Sequence, residues 1–116
     1  MTLRVLGCSG GIGADLSTTS LLVDDDVLID GGTGVTELSL EEMAKIRHIF
    51  VTHSHLDHIA GIPMLIDSVF EQITEPVVLH ARQETIQVLK DHICLLYTSP
   101  SPRDHLSYLV CRLLLE

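Results

Sequence analysis

Four residues within six positions, His53, His55, Asp57 and His58, carry the side chains best suited to chemistry in this chain. They follow the apolar, β-branched run Ile49-Phe50-Val51-Thr52, which reads as a buried strand ending at Thr52. His53 and His55 stand two apart on extended backbone, so their side chains leave the same face. Asp57 and His58 come at the turn where a helical pattern begins, and can be aimed into the same space. Neutral imidazole with carboxylate suits zinc, with iron or manganese as substitutes, and four such groups are enough for parts of two divalent metal sites. Isolated histidines such as His48 and His80 read as ordinary surface or core residues.

The elements that must hold this cluster can be followed along the chain. Thr2 to Leu6 reads as a first strand, followed by the glycine-rich loop Gly7-Cys8-Ser9-Gly10-Gly11-Ile12-Gly13. That loop lacks the Gly-Lys-Ser/Thr of a phosphate-binding loop, and the next residues are more loop than helix. Ser20 to Val23 and Val27 to Asp30 read as strands joined by the solvated turn Asp24-Asp25-Asp26. Asp30, at the end of a buried strand and followed by glycines, stands where a carboxylate can orient metal ligands by accepting their N–H bonds. Ser39 with Glu42 three residues on is a capping box that starts a short helix. Arg47 to Thr52 is the strand that delivers the cluster. A helical segment over Ile62 to Phe70, a strand over Pro76 to His80 and an amphipathic helix over Gln83 to His92, with Ile86, Leu89 and Ile93 as its apolar stripe, complete an α/β alternation.

The segment Thr52-His53-Ser54-His55-Leu56-Asp57-His58 resembles the His-x-His-x-Asp-His signature of the metallo-β-lactamase superfamily. The resemblance implies an α/β/β/α sandwich with one or two metal ions at one edge. It implies that His53 and His55 ligate the first ion, that Asp57 and His58 ligate the second, with Asp57 also orienting a nucleophilic water, and that Asp30 supports them. The family completes its site with a later histidine, an aspartate and a last histidine, none of which can be placed here. Leu6-Gly7-Cys8-Ser9-Gly10-Gly11, Leu28-Ile29-Asp30-Gly31-Gly32 and the Leu56 form of the motif are similar to class II 3′,5′-cyclic nucleotide phosphodiesterases. A tRNA 3′-end processing endonuclease is the second hydrolase reading. A catalytically inactive, partial metal-binding fragment is the reading from another class.

Composition bounds these expectations. At 116 residues and 46% apolar content the chain is one small domain. Seven basic against sixteen acidic residues give a formal charge of −9, which argues against a nucleic-acid surface; the small phosphodiester substrate is what the resemblance implies. No export signal or membrane span is legible, so a cytoplasmic protein is expected, with a homodimer as the form of the intact protein. Three cysteines give neither a disulfide framework nor a metal knuckle.

From Cys94 onward the text changes character. Cys94 to Asp104 back-translates to a sequence resembling a transposase adapter of short-read libraries, and Leu109 to Leu115 resembles the distal end of the same adapter. Residues 94–116 are therefore expected to be a non-native tail, and residues 1–93 the amino-terminal half of a metallo-β-lactamase sandwich. Sheet surface that would meet the missing half is expected to stay exposed.

Overall fold

The computed structural model describes residues 1–69, 71–72, 77–89 and the backbone of 109–113. One sheet of six strands runs in chain order: β1 (Leu3–Gly7), β2 (Ser20–Val23), β3 (Val27–Ile29), β4 (His48–Phe50), β5 (Val77–Ala81) and β6 (Leu109–Leu113). The first three are antiparallel, and β3 through β6 are parallel. Parallel neighbours need crossovers. These are supplied by α1 (Leu40–Ala44) between β3 and β4, by α2 (Leu56–Ile59) and α3 (Ile62–Ser68) between β4 and β5, and by α4 (Gln83–Val88) after β5. Right-handed crossovers that all advance in one direction put their helices on one face of the sheet.

The burial pattern agrees with that geometry. Leu22, Leu28, Ile49 and Leu79 are register partners across four strands, and each is buried. They form the floor on which Ile59, Ile62, Leu65, Ile66, Ile86 and Leu89 of the helical layer pack. The alternate residues Leu21, Val23, Val27, Ile29, Phe50 and Val78 are only half-buried, on the face away from the helices. On β1 that same face carries Leu3 and Val5, register partners of Val23 and Leu21, at 63% and 57% exposure.

Local signals act as the sequence suggests. Ser39 caps α1 by accepting from the Glu42 amide, and the Glu42 carboxylate accepts from the Ser39 amide. Pro63 sits in the first turn of α3, where a missing N–H costs nothing. The Asp24-Asp25-Asp26 turn is exposed, with Asp24 at a φ of 54°.

Two features differ from expectation. The strand Arg47–Thr52 contracts to His48–Phe50, because beyond Phe50 only Val51 still bonds across to His80 while the Thr52 amide turns to the Asp30 side chain. The glycine-rich stretch after Asp30 contains a 3-10 helix, Thr33–Glu37, which no periodic pattern announces. Strand β5 begins at Val77, and Pro76, Phe70, Asp91, His92 and Ile93 lie outside the described residues. So does most of the expected tail. Its Leu109–Leu113 segment extends the sheet through parallel backbone pairing with β5, which an apolar run can make without any particular side chains. Among the described residues no helix is long and apolar enough to cross a membrane.

Candidate metal centre

Asp30 is the residue around which the site is built. It follows the last residue of β3, is 2% exposed, and has a φ of 60°, in the left-handed region that aspartate tolerates better than most residues. Its backbone is pinned on both sides: the amide donates to the Phe50 carbonyl at 2.7 Å, and its carbonyl accepts from the Ser20 hydroxyl at 2.9 Å. A strained backbone held this firmly turns the carboxylate sideways towards the end of β4.

That carboxylate meets three donors. Oδ1 accepts from the Thr52 amide at 2.8 Å, the Thr52 hydroxyl reaches both oxygens at 3.1 and 2.8 Å, and His58 Nδ1 lies 2.8 Å from Oδ2. An ionised carboxylate only accepts, so His58 carries a hydrogen on Nδ1 and, in the neutral form that a metal ligand requires, keeps the Nε2 lone pair. The same bookkeeping extends one residue further. Thr52 has one hydroxyl hydrogen, which Asp30 takes, so the hydroxyl oxygen accepts from His53 Nδ1 at 3.0 Å. His53 is thereby set in the same tautomer as His58, again with Nε2 available.

The approach of α2 to this carboxylate depends on glycine. The Gly31 amide donates to the His58 carbonyl and the Gly61 amide to the Gly31 carbonyl, both at 2.7 Å. A Cβ on Gly61 would collide with the Gly32 carbonyl and with Val35, so the two chain segments could not lie this close.

The structure brings the expected residues together. The His53 and His58 rings have centroids 4.0 Å apart, His53 and His55 are 4.6 Å apart edge to face, and Asp57 Oδ2 lies 3.4 Å from His58 Nε2. All stand beyond the carboxyl end of β4, where parallel α/β sheets place their ligands. Their donor atoms do not, however, meet at one point as the sequence reading expected. Among the described residues no three His, Cys, Asp or Glu side chains form a group that could hold an ion. The physical reason is ring packing: the His53 ring lies edge-on to His55 at 81° and tilted by 49° against His58. The donor chemistry itself fits a divalent metal, since two imidazoles are set to present Nε2 beside a carboxylate.

Thr52 is the participant the sequence reading missed. It meets Asp30 because the parallel register pairs Ile29 with Phe50, which sets Asp30 beside the residues following β4. Next to the cluster a cavity of about 420 Å³ is lined by Gly10, Gly11 and Ile12 from the first loop and by Leu56, Asp57 and Ala60 from the α2 region, with Thr18 and Thr33 also contributing. His48 and His80 lie away from the cluster and bond to each other, with 3.0 Å between Nδ1 and Nε2. Cys8 is a free, exposed thiol.

Comparison with known proteins shows what the chain resembles. A family-wide profile described as the beta-lactamase superfamily domain matches residues 26–107. Ribonuclease Z of Haloarcula marismortui is 34% identical over 110 residues, covering 87% of this chain and 35% of that protein. Ribonuclease J of Mycoplasma pneumoniae is 39% identical over 67 residues, covering 57% of this chain and 11% of that protein. The crystal structure of unliganded yeast PDE1 superimposes with a TM-score of 0.72 at 18% identity, over 97% of this chain and 50% of that one. The chain thus spans half of that structure, and less of the two sequence relatives.

Proposed function

We propose a function from one premise: this chain belongs to the beta-lactamase superfamily. We read it as the amino-terminal, metal-holding half of a metal-dependent hydrolase of phosphodiester bonds, with 3′,5′-cyclic nucleotides as its substrate class. The observation that carries this reading is the Asp30-centred network, which sets His53 and His58 in one tautomer next to Asp57 and a cavity of about 420 Å³. A cavity of that volume falls within the range of small-molecule sites, roughly 300–1,000 Å³. Among the described residues no lysine or arginine lines it, as a groove for a long polyanion would require.

In this reading His53 and His55 hold one divalent ion and Asp57 and His58 a second, zinc first, with iron or manganese as substitutes. When bound, such ions polarise a phosphoryl oxygen and acidify water. The chain's own residues supply the rest. Asp30 accepts the His58 Nδ1 hydrogen and so keeps Nε2 free, and Thr52 holds that carboxylate in place while passing the same constraint to His53. Asp57 reaches the cavity and is the carboxylate positioned to take a proton from an attacking water. Four protein donors shared between two ions leave two for each, so the 116-residue chain alone holds metal weakly and does not turn over.

The second reading is an endonuclease acting at RNA 3′ ends. It is favoured by the 34% identity to ribonuclease Z over 110 residues. Hydrolysis of cyclic AMP, bis(p-nitrophenyl) phosphate and a precursor tRNA separates the two. The assay uses this chain and the product of the genomic reading frame continued past Ile93, each supplied with zinc, manganese or iron. Cyclic AMP turnover by the longer product, abolished by His55→Ala, is expected. Preference for the precursor tRNA establishes the second reading, and hydrolysis of none of the three overturns both.

A further inference from the structure

Ile12 and Leu56 are both 72% exposed, although each is a large aliphatic residue, and both line the cavity beside the metal cluster. Leu56 opens α2 one residue before Asp57, and Ala60 stands one turn further along the same helical face. The loop Gly10-Gly11-Ile12 lines the same cavity. A Cβ built on Gly10 or Gly11 meets nothing within 4 Å, so open space rather than packing lies over this backbone. The polar residues of the lining are already engaged: the Thr18 amide donates to the Thr33 hydroxyl at 2.8 Å, and the Thr33 amide to the Thr18 hydroxyl at 2.7 Å. Asp57 is the charged side chain of the lining.

We propose that Ile12 and Leu56 are the two jaws of an apolar clamp that holds the base of a nucleotide substrate while its phosphodiester lies at Asp57 and His58. The clamp rests on the phosphodiesterase reading above and names the part of the substrate that reading leaves open. Three observations select a nucleobase. Two aliphatic side chains match the two apolar faces of a planar ring. The open backbone at Gly10 and Gly11 lets a flat group approach closely. The cavity is continuous with the metal cluster through Asp57, and its volume of about 420 Å³ suits one nucleoside rather than a strand. Leu56 and Ile12 are thus specificity-determining residues, and their exposure makes them replaceable without loss of the fold.

The test is calorimetric titration with adenosine, which carries base and ribose but no phosphate, on this chain and on the longer gene product. Binding is expected for the wild type, weakened at least about tenfold by Ile12→Ser with Leu56→Ser and restored by Ile12→Leu with Leu56→Met. In the longer product the serine pair is expected to raise KM for cyclic AMP. Adenosine binding that the serine pair removes, in a longer gene product that hydrolyses no phosphodiester, upholds the clamp and sinks the hydrolase reading. Cyclic AMP turnover with the same KM in wild type and serine pair sinks the clamp and upholds the hydrolase reading. A wild type that does not bind adenosine, or a serine pair that binds it equally, overturns the clamp.

Discussion

Asp30 concentrates three tasks in one carboxylate: it fixes the His58 tautomer, anchors Thr52, and through Thr52 sets His53. An amide of the same size cannot do all three, because its NH₂ end offers hydrogens where His58 and Thr52 need an acceptor. Asp30→Asn is therefore expected to lower zinc affinity about 10- to 100-fold, the usual effect of removing a group that orients a metal ligand. Competition with a chromophoric chelator measures this, and an unchanged affinity would show that the network does not govern the donors. The sequence made Asp30 visible by its place at a strand end before two glycines. Thr52 was hidden, because its partner is 22 residues away, just past the end of a neighbouring strand.

At the scale of elements, α1 illustrates how local chemistry sets a boundary. The Ser39 amide, first, and the Arg4 guanidinium at 2.7 Å hold the Glu42 carboxyl below its ordinary value of 4.5. A carboxylate whose pKa is lowered on folding contributes stability above that ordinary value and loses it as the pH falls through the folded one. Glu42→Gln is thus expected to melt below the wild type at pH 7, with the gap closing as the pH drops below 4.5. Thermal melts followed by circular dichroism across that range check the sign, and a gap that widens in acid contradicts it. The capping box was readable because all its partners lie within four residues. The 3-10 helix at Thr33–Glu37 was not, since it is held from outside by Thr18 and packs on α3 and β1.

For the whole molecule, the sheet has one face covered by helices and one carrying Leu3, Val5, Leu21, Val23, Ile29 and Phe50 only half-buried or exposed. Apolar surface of this extent favours association, and a charge of −9 opposes it only over the Debye length of about 8 Å at physiological salt. Sedimentation velocity of the 116-residue chain is expected to show concentration-dependent self-association, whereas a sharp, monomeric two-state melt would contradict it. The α/β reading, as half of a metallo-β-lactamase sandwich, agrees with the superposition on yeast PDE1, of which the chain covers 50%. The sequence by itself determined the strand-helix alternation and the segment bearing His53, His55, Asp57 and His58, because periodicity and residue chemistry are local properties. Only the tertiary structure decided that Asp30 and Thr52 join two histidines into one network, that Ile12 and Leu56 line one cavity, and that the imidazoles pack ring against ring. Each of these depends on strand register and on how closely glycines let two segments approach, and neither is written in the order of residues along one of them.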